Sequence, residues 1–165
     1  PDDNRIREEW LLDLFYFMIK GEISNAVKLL KEFYYHGAEP KQIIEDMLHL
    51  NYNLILYSAT DKKNNIYDEN KIESILKECD VPFLNEIWQM LIKGKEEMTK
   101  ISQPIEALQV LIIRISYTSK LPRIQDLVNN INNENNVETK SNIQDIGNDI
   151  KKILDIFPGG KVVKN

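Results

Sequence analysis

Residues 105–117 constrain this chain more than any other segment. Ile105, Ala107, Leu108, Val110, Leu111, Ile112, Ile113, Ile115 and Tyr117 cover nearly every face of a helix at 3.6 residues per turn. A helix apolar all round has to be covered on all sides, so it is either the central helix of a bundle or one packed partly on a second chain. Pro104 opens this helix, and Leu121 with Pro122 closes it. The same periodicity recurs upstream, and strand alternation is almost absent, so the fold class is all-α. Ile6, Trp10, Leu14, Phe17 and Met18 mark a first helix ended by Gly21. Ile23, Val27, Leu30, Phe33 and Tyr34 mark a second, ended at His36 and Gly37. Pro40 starts a long third helix through Ile43, Ile44, Met47, Leu48, Leu54, Ile55 and Tyr57.

Residues 61–65, charged and Asn-rich, read as a surface connection, followed by a short helix over 68–77. Pro82 begins a helix carrying Phe83, Ile87, Trp88, Leu91 and Met98 on its apolar face. Gly94 falls in its middle, where glycine costs about 1 kcal/mol against alanine, and so predicts a close approach by a neighbouring helix. A short amphipathic turn with Ile124, Leu127, Val128 and Ile131 completes a compact helical domain of five to six helices over 5–128. An Asn-rich linker is expected over 129–142. Residues 143–165 then read as one further helix, striped by Ile143, Ile146, Ile150, Ile153, Leu154 and Phe157. Pro158 to Gly160 break it before Val162 and Val163, which look like the start of a strand and a piece of a second module.

Composition narrows the function. Apolar residues at 42% and charged residues at 28% are ordinary for a globular domain. A net charge of −5 speaks against a dedicated nucleic-acid surface, which needs clustered Lys and Arg. One cysteine, Cys79, excludes an internal disulfide framework and fits a reducing compartment; its helix-end position favours a structural thiol. No apolar run approaches the roughly 20 residues a membrane-spanning helix needs, so the expected location is the cytoplasm.

The chemistry-bearing motifs are sparse. Gly94-Lys95 and Gly160-Lys161 lack both the earlier glycine and the following Ser or Thr of a phosphate-binding loop. His36 and His49 stand alone, with no Cys or second His at ligand spacing, and read as ordinary helix-end or surface histidines. No catalytic, cofactor or metal site is expected.

The order of residues nevertheless resembles a known family. Leu14 to Ile23, Ala26 to Leu30 and Gly37 to Pro40 look like the opening of domain III of the bacterial DNA polymerase III gamma/tau subunit. Trp88 to Gly94, Pro104, Ile112 to Ile115 and Leu121-Pro122 continue the pattern, so that it covers roughly residues 5–128. The family's last helix usually carries a glutamate followed by methionine; this chain has Gln109 and Val110 there.

The resemblance implies a collar, the oligomerisation domain that joins gamma/tau copies to the delta and delta-prime subunits of the clamp loader in DNA replication. It implies no catalysis by these residues, because the family's ATPase domains, with their phosphate loop, zinc-binding cysteines and arginine finger, are separate. Expected interface residues are Trp88, Leu108, Leu111, Ile112, Arg114 and Ile115. The tail, through Ile150, Leu154 and Phe157, is similar to the end of tau that contacts the polymerase alpha subunit. A stand-alone helical adaptor is the alternative, and a small helical enzyme is a third class. For Arg114 the expectation is an ion pair or a carbonyl contact near the C-terminal end of its own helix, with a direct intersubunit contact as the other reading.

Overall fold

A computed structural model of the chain describes residues 2–60, 66–121, 124–133 and 139–156. Eight helices follow one another among these: α1 (Asp2–Ile19), α2 (Ile23–Tyr35), α3 (Pro40–Thr60), α4 (Glu69–Lys77), α5 (Val81–Met98), α6 (Pro104–Lys120), α7 (Ile124–Asn133) and α8 (Thr139–Ile156). No strand occurs among the described residues.

The helix ends follow from identifiable residues. Gly21 and Gly37 adopt φ of 70° and 94°, a left-handed turn that a side chain resists. The N–H groups of Gly21 and Glu22 donate to the carbonyls of Met18 and Phe17, at 3.1 and 2.8 Å. Gly37 and Ala38 repeat the pattern on Tyr34 and Phe33, at 3.0 and 3.1 Å. Each pair of bonds closes a helix by satisfying carbonyls its last turn leaves open. At the opposite ends, the Asp68 carboxylate accepts from the Asn70 N–H at 2.9 Å, and that of Asp80 from the Phe83 N–H at 3.0 Å. These caps start α4 and α5, where Pro82 adds a preset φ.

Helix α6 is the centre of the bundle: it packs on α1, α2, α3, α5 and α8. Leu108, Leu111, Ile112 and Ile115 are at most 2% exposed, meeting the expectation that a helix apolar on several faces is wrapped by neighbours. Its covering is incomplete at Val110, which is 40% exposed. Helix α5 runs against both α3 and α6. A Cβ added to Gly94 would stand 2.5 Å from Leu111 Cδ2, so α5 and α6 approach there as the mid-helix glycine predicts. At the far end of α6, the Ser119 hydroxyl donates to the Met18 carbonyl at 2.8 Å, tying α6 to the end of α1.

The chain beyond Leu121 differs in detail from the sequence reading. The amphipathic turn expected near 124–131 is a helix that continues to Asn133. Helix α8 begins at Thr139, so both edges of the Asn-rich stretch 129–142 are helical. The physical reason is the placement of Leu127, Val128 and Ile131 three and four residues apart, a helical stripe that outweighs the modest helix propensity of asparagine. Val162 and Val163, expected to begin a strand, lie outside the described residues.

Candidate assembly interface

The residues named for an interface fall into distinct environments. Leu108, Leu111, Ile112 and Ile115 are in this chain's own core. A side chain with no exposed surface touches no partner directly, so these four act by fixing the position of α6. Trp88 is half-buried on α5, packed against the edge of that core. The apolar surface still open to a partner includes Val110 on α6, Ile92 on α5, Tyr52 and Leu56 one turn apart on α3, and Tyr35 on α2.

Arg114 is 6% exposed although it is charged, and its contacts explain how. One terminal guanidinium nitrogen (Nη1) donates to Glu97 Oε2 of α5 at 2.9 Å, while Nε donates to the Ile156 carbonyl at 3.2 Å. That carbonyl belongs to the last turn of α8, where backbone oxygens are unpaired and the helix dipole is negative. An ion pair and a carbonyl contact are both present, but the helix end that Arg114 serves is that of α8 and not, as expected, that of its own helix. Sequence reasoning missed Glu97; its place in the last turn of α5, two residues before Thr99 on a charged helix face, gave no signal of pairing with α6.

Of the tail residues, Ile150 is 45% exposed. The side chain of Leu154 and the whole of Phe157 lie outside the described residues. Ile153 of α8 shares an open cleft of about 380 Å³ with Met90 and Lys93 of α5 and Thr118 of α6.

Other candidates for chemistry are occupied structurally. Lys95 pairs with Glu45 of α3, and Gly94 sits inside a continuous helix against Leu111, so Gly94-Lys95 is not a loop that could wrap a phosphate. His36 Nδ1 lies 2.7 Å from the Glu32 carbonyl, with its ring edge-on to Trp10. Cys79 is buried, its thiol facing the Asp80 carbonyl at 3.7 Å. Among the described residues no three His, Cys, Asp or Glu side chains converge as metal ligands, and no helix is long and apolar enough to cross a membrane. Asn51, fully buried on α3, donates to the Leu84 carbonyl of α5 at 3.0 Å and locks the two helices in register.

Such an arrangement defines an all-helical domain whose buried polar groups join helix to helix. The family model for domain III of DNA polymerase III subunits gamma and tau matches residues 6–131, and the chain belongs to that family, as the order of its residues implied. Domain III is a non-catalytic helical part of those subunits. The DNA polymerase III subunit tau of Bacillus subtilis (strain 168) is 26% identical over 118 residues, an alignment covering 66% of this chain and 21% of the relative. The chain thus matches only a fifth or so of that relative's length. No solved structure matches it.

Proposed function

We propose that this chain is the collar of a clamp loader, an oligomerisation domain holding gamma/tau copies together with the delta and delta-prime subunits in the bacterial cytoplasm. The observation that carries the reading is the family match, which runs the length of the helical body from α1 into α7. The packing supports it. Helix α6 is largely used by its own core, and the apolar positions it and α5 leave on the surface, Val110 and Ile92, are where a partner helix packs in this reading. Arg114 and Trp88 contribute by setting how α5, α6 and α8 lie. The tail, through Ile150, Leu154 and Phe157, is offered to the polymerase alpha subunit.

Val110→Glu and Ile92→Glu test this. Each places a charge on an exposed side chain, so the circular dichroism spectrum and melting temperature should stay close to those of the parent chain. Capture of purified delta and delta-prime should weaken by about tenfold or more, as for a charge forced into a dry contact. Unchanged capture by both variants would remove α5 and α6 from the interface.

A further inference from the structure

Helices α1 and α3 and the start of α4 enclose a polar cleft of about 230 Å³ that the collar reading does not use. Arg7, Glu8, Leu11, Asp46, His49, Ile66 and Tyr67 line it. Tyr67 is only 7% exposed as a residue and lines the cleft. A phenol oxygen at the wall of a cleft can accept a hydrogen bond from a group that enters.

The charges around the cleft decide what that group is. Arg7 pairs with Asp46, which also accepts from Gln42 at 2.9 Å, so the charges of Arg7 and Asp46 offset one another. Glu8 has no partner among the described residues and leaves one net negative charge at the mouth. His49 is exposed, its ring stacked 6.4 Å from Tyr52. Burial first, and then the Glu8 and Asp46 carboxylates, oppose loss of the Tyr67 proton, so both carboxylates act on the same oxygen. Leu11 and Ile66 add apolar wall, suited to a methylene stem with a charged end.

We infer that this cleft is a binding site for a primary ammonium, the end of a lysine side chain on a neighbouring protein, with Glu8 supplying the charge and the Tyr67 oxygen accepting one hydrogen bond. The inference is independent of the collar assignment. Nα-acetyl-lysine methylamide serves as the probe, titrated into isotopically labelled chain and followed by amide chemical shifts, with Nα-acetyl-norleucine methylamide as the uncharged control. The lysine probe should give saturable shifts centred on Leu11, His49, Ile66 and Tyr67, and the control none. Glu8→Gln should weaken binding about threefold, as expected for loss of a solvent-exposed ion pair, and Tyr67→Phe by a similar factor for loss of one hydrogen bond. Shifts that fail to saturate, that scatter over the surface, or that persist unchanged in Glu8→Gln would overturn it. Since no clamp-loader subunit takes part, failure here leaves the collar reading untouched.

Discussion

Among the described residues, the phenol of Tyr67 carries the clear change that this fold imposes on an ionisable side chain. Burial first, then the carboxylates of Glu8 and Asp46, push its pKa from 10.0 up to about 12. The folded chain therefore holds the phenol proton more tightly than the unfolded chain does. Between pH 10 and 12 the unfolded state binds fewer protons at this site, so stability falls as pH rises through that window and is unaffected below it. The loss amounts to about 2 kcal/mol. Urea denaturation at pH 9 and at pH 11.5 should show a smaller alkaline loss in Tyr67→Phe than in the parent chain. Equal losses in the two proteins would show that Tyr67 titrates normally. Nothing in the sequence signalled this residue, because its environment is made by Glu8 and Asp46, which lie far away along the chain. The glycine of α5 was legible, because a helix accepts glycine at a cost of about 1 kcal/mol only where something is gained.

At the scale of the elements, α5 against α6 is the contact on which the bundle turns. In Gly94→Ala the new methyl gains about 1 kcal/mol of helix propensity but meets Leu111 at 2.5 Å, in a core where that leucine is 2% exposed. Overpacking of this kind costs about 1–3 kcal/mol, so the urea midpoint should fall. Gly147→Ala on α8 is the matched control: no atom lies within 4 Å of its added Cβ, and the midpoint should stay level or rise. A midpoint raised by both substitutions would mean that α5 and α6 are further apart than described. Helix α8 depends on a different contact, the buried Arg114 joined to Glu97 and to the Ile156 carbonyl. Arg114→Ala should cost about 2 kcal/mol and speed hydrogen exchange in the last turn of α8 more than anywhere in α2. Uniform exchange changes across all helices would contradict a local latch. The helices themselves were legible from apolar spacing and from Gly21, Gly37, Pro40, Pro82 and Pro104. The extent of α7 was not, since asparagine runs look like linker until Leu127, Val128 and Ile131 are set on one helical face.

At the scale of the whole molecule, sequence order was the informative signal for family, whereas burial had to be seen. The apolar richness of α6 reads equally as a central helix or as an interface. In the structure Leu108, Leu111, Ile112 and Ile115 are consumed by the chain's own core, so the proposed partner contact falls to exposed neighbours such as Val110. Arg114 was singled out correctly as a residue that must be paired, though its partners came from two other helices. The central claim is that these helices join clamp-loader subunits without taking part in nucleotide chemistry. Sedimentation of the chain mixed with purified delta and delta-prime, with and without magnesium-ATP, tests it most directly. The account predicts a faster-sedimenting complex of the same size in both buffers. Components that sediment separately at tens-of-micromolar concentrations, or a complex that forms only when magnesium-ATP is present, would contradict it.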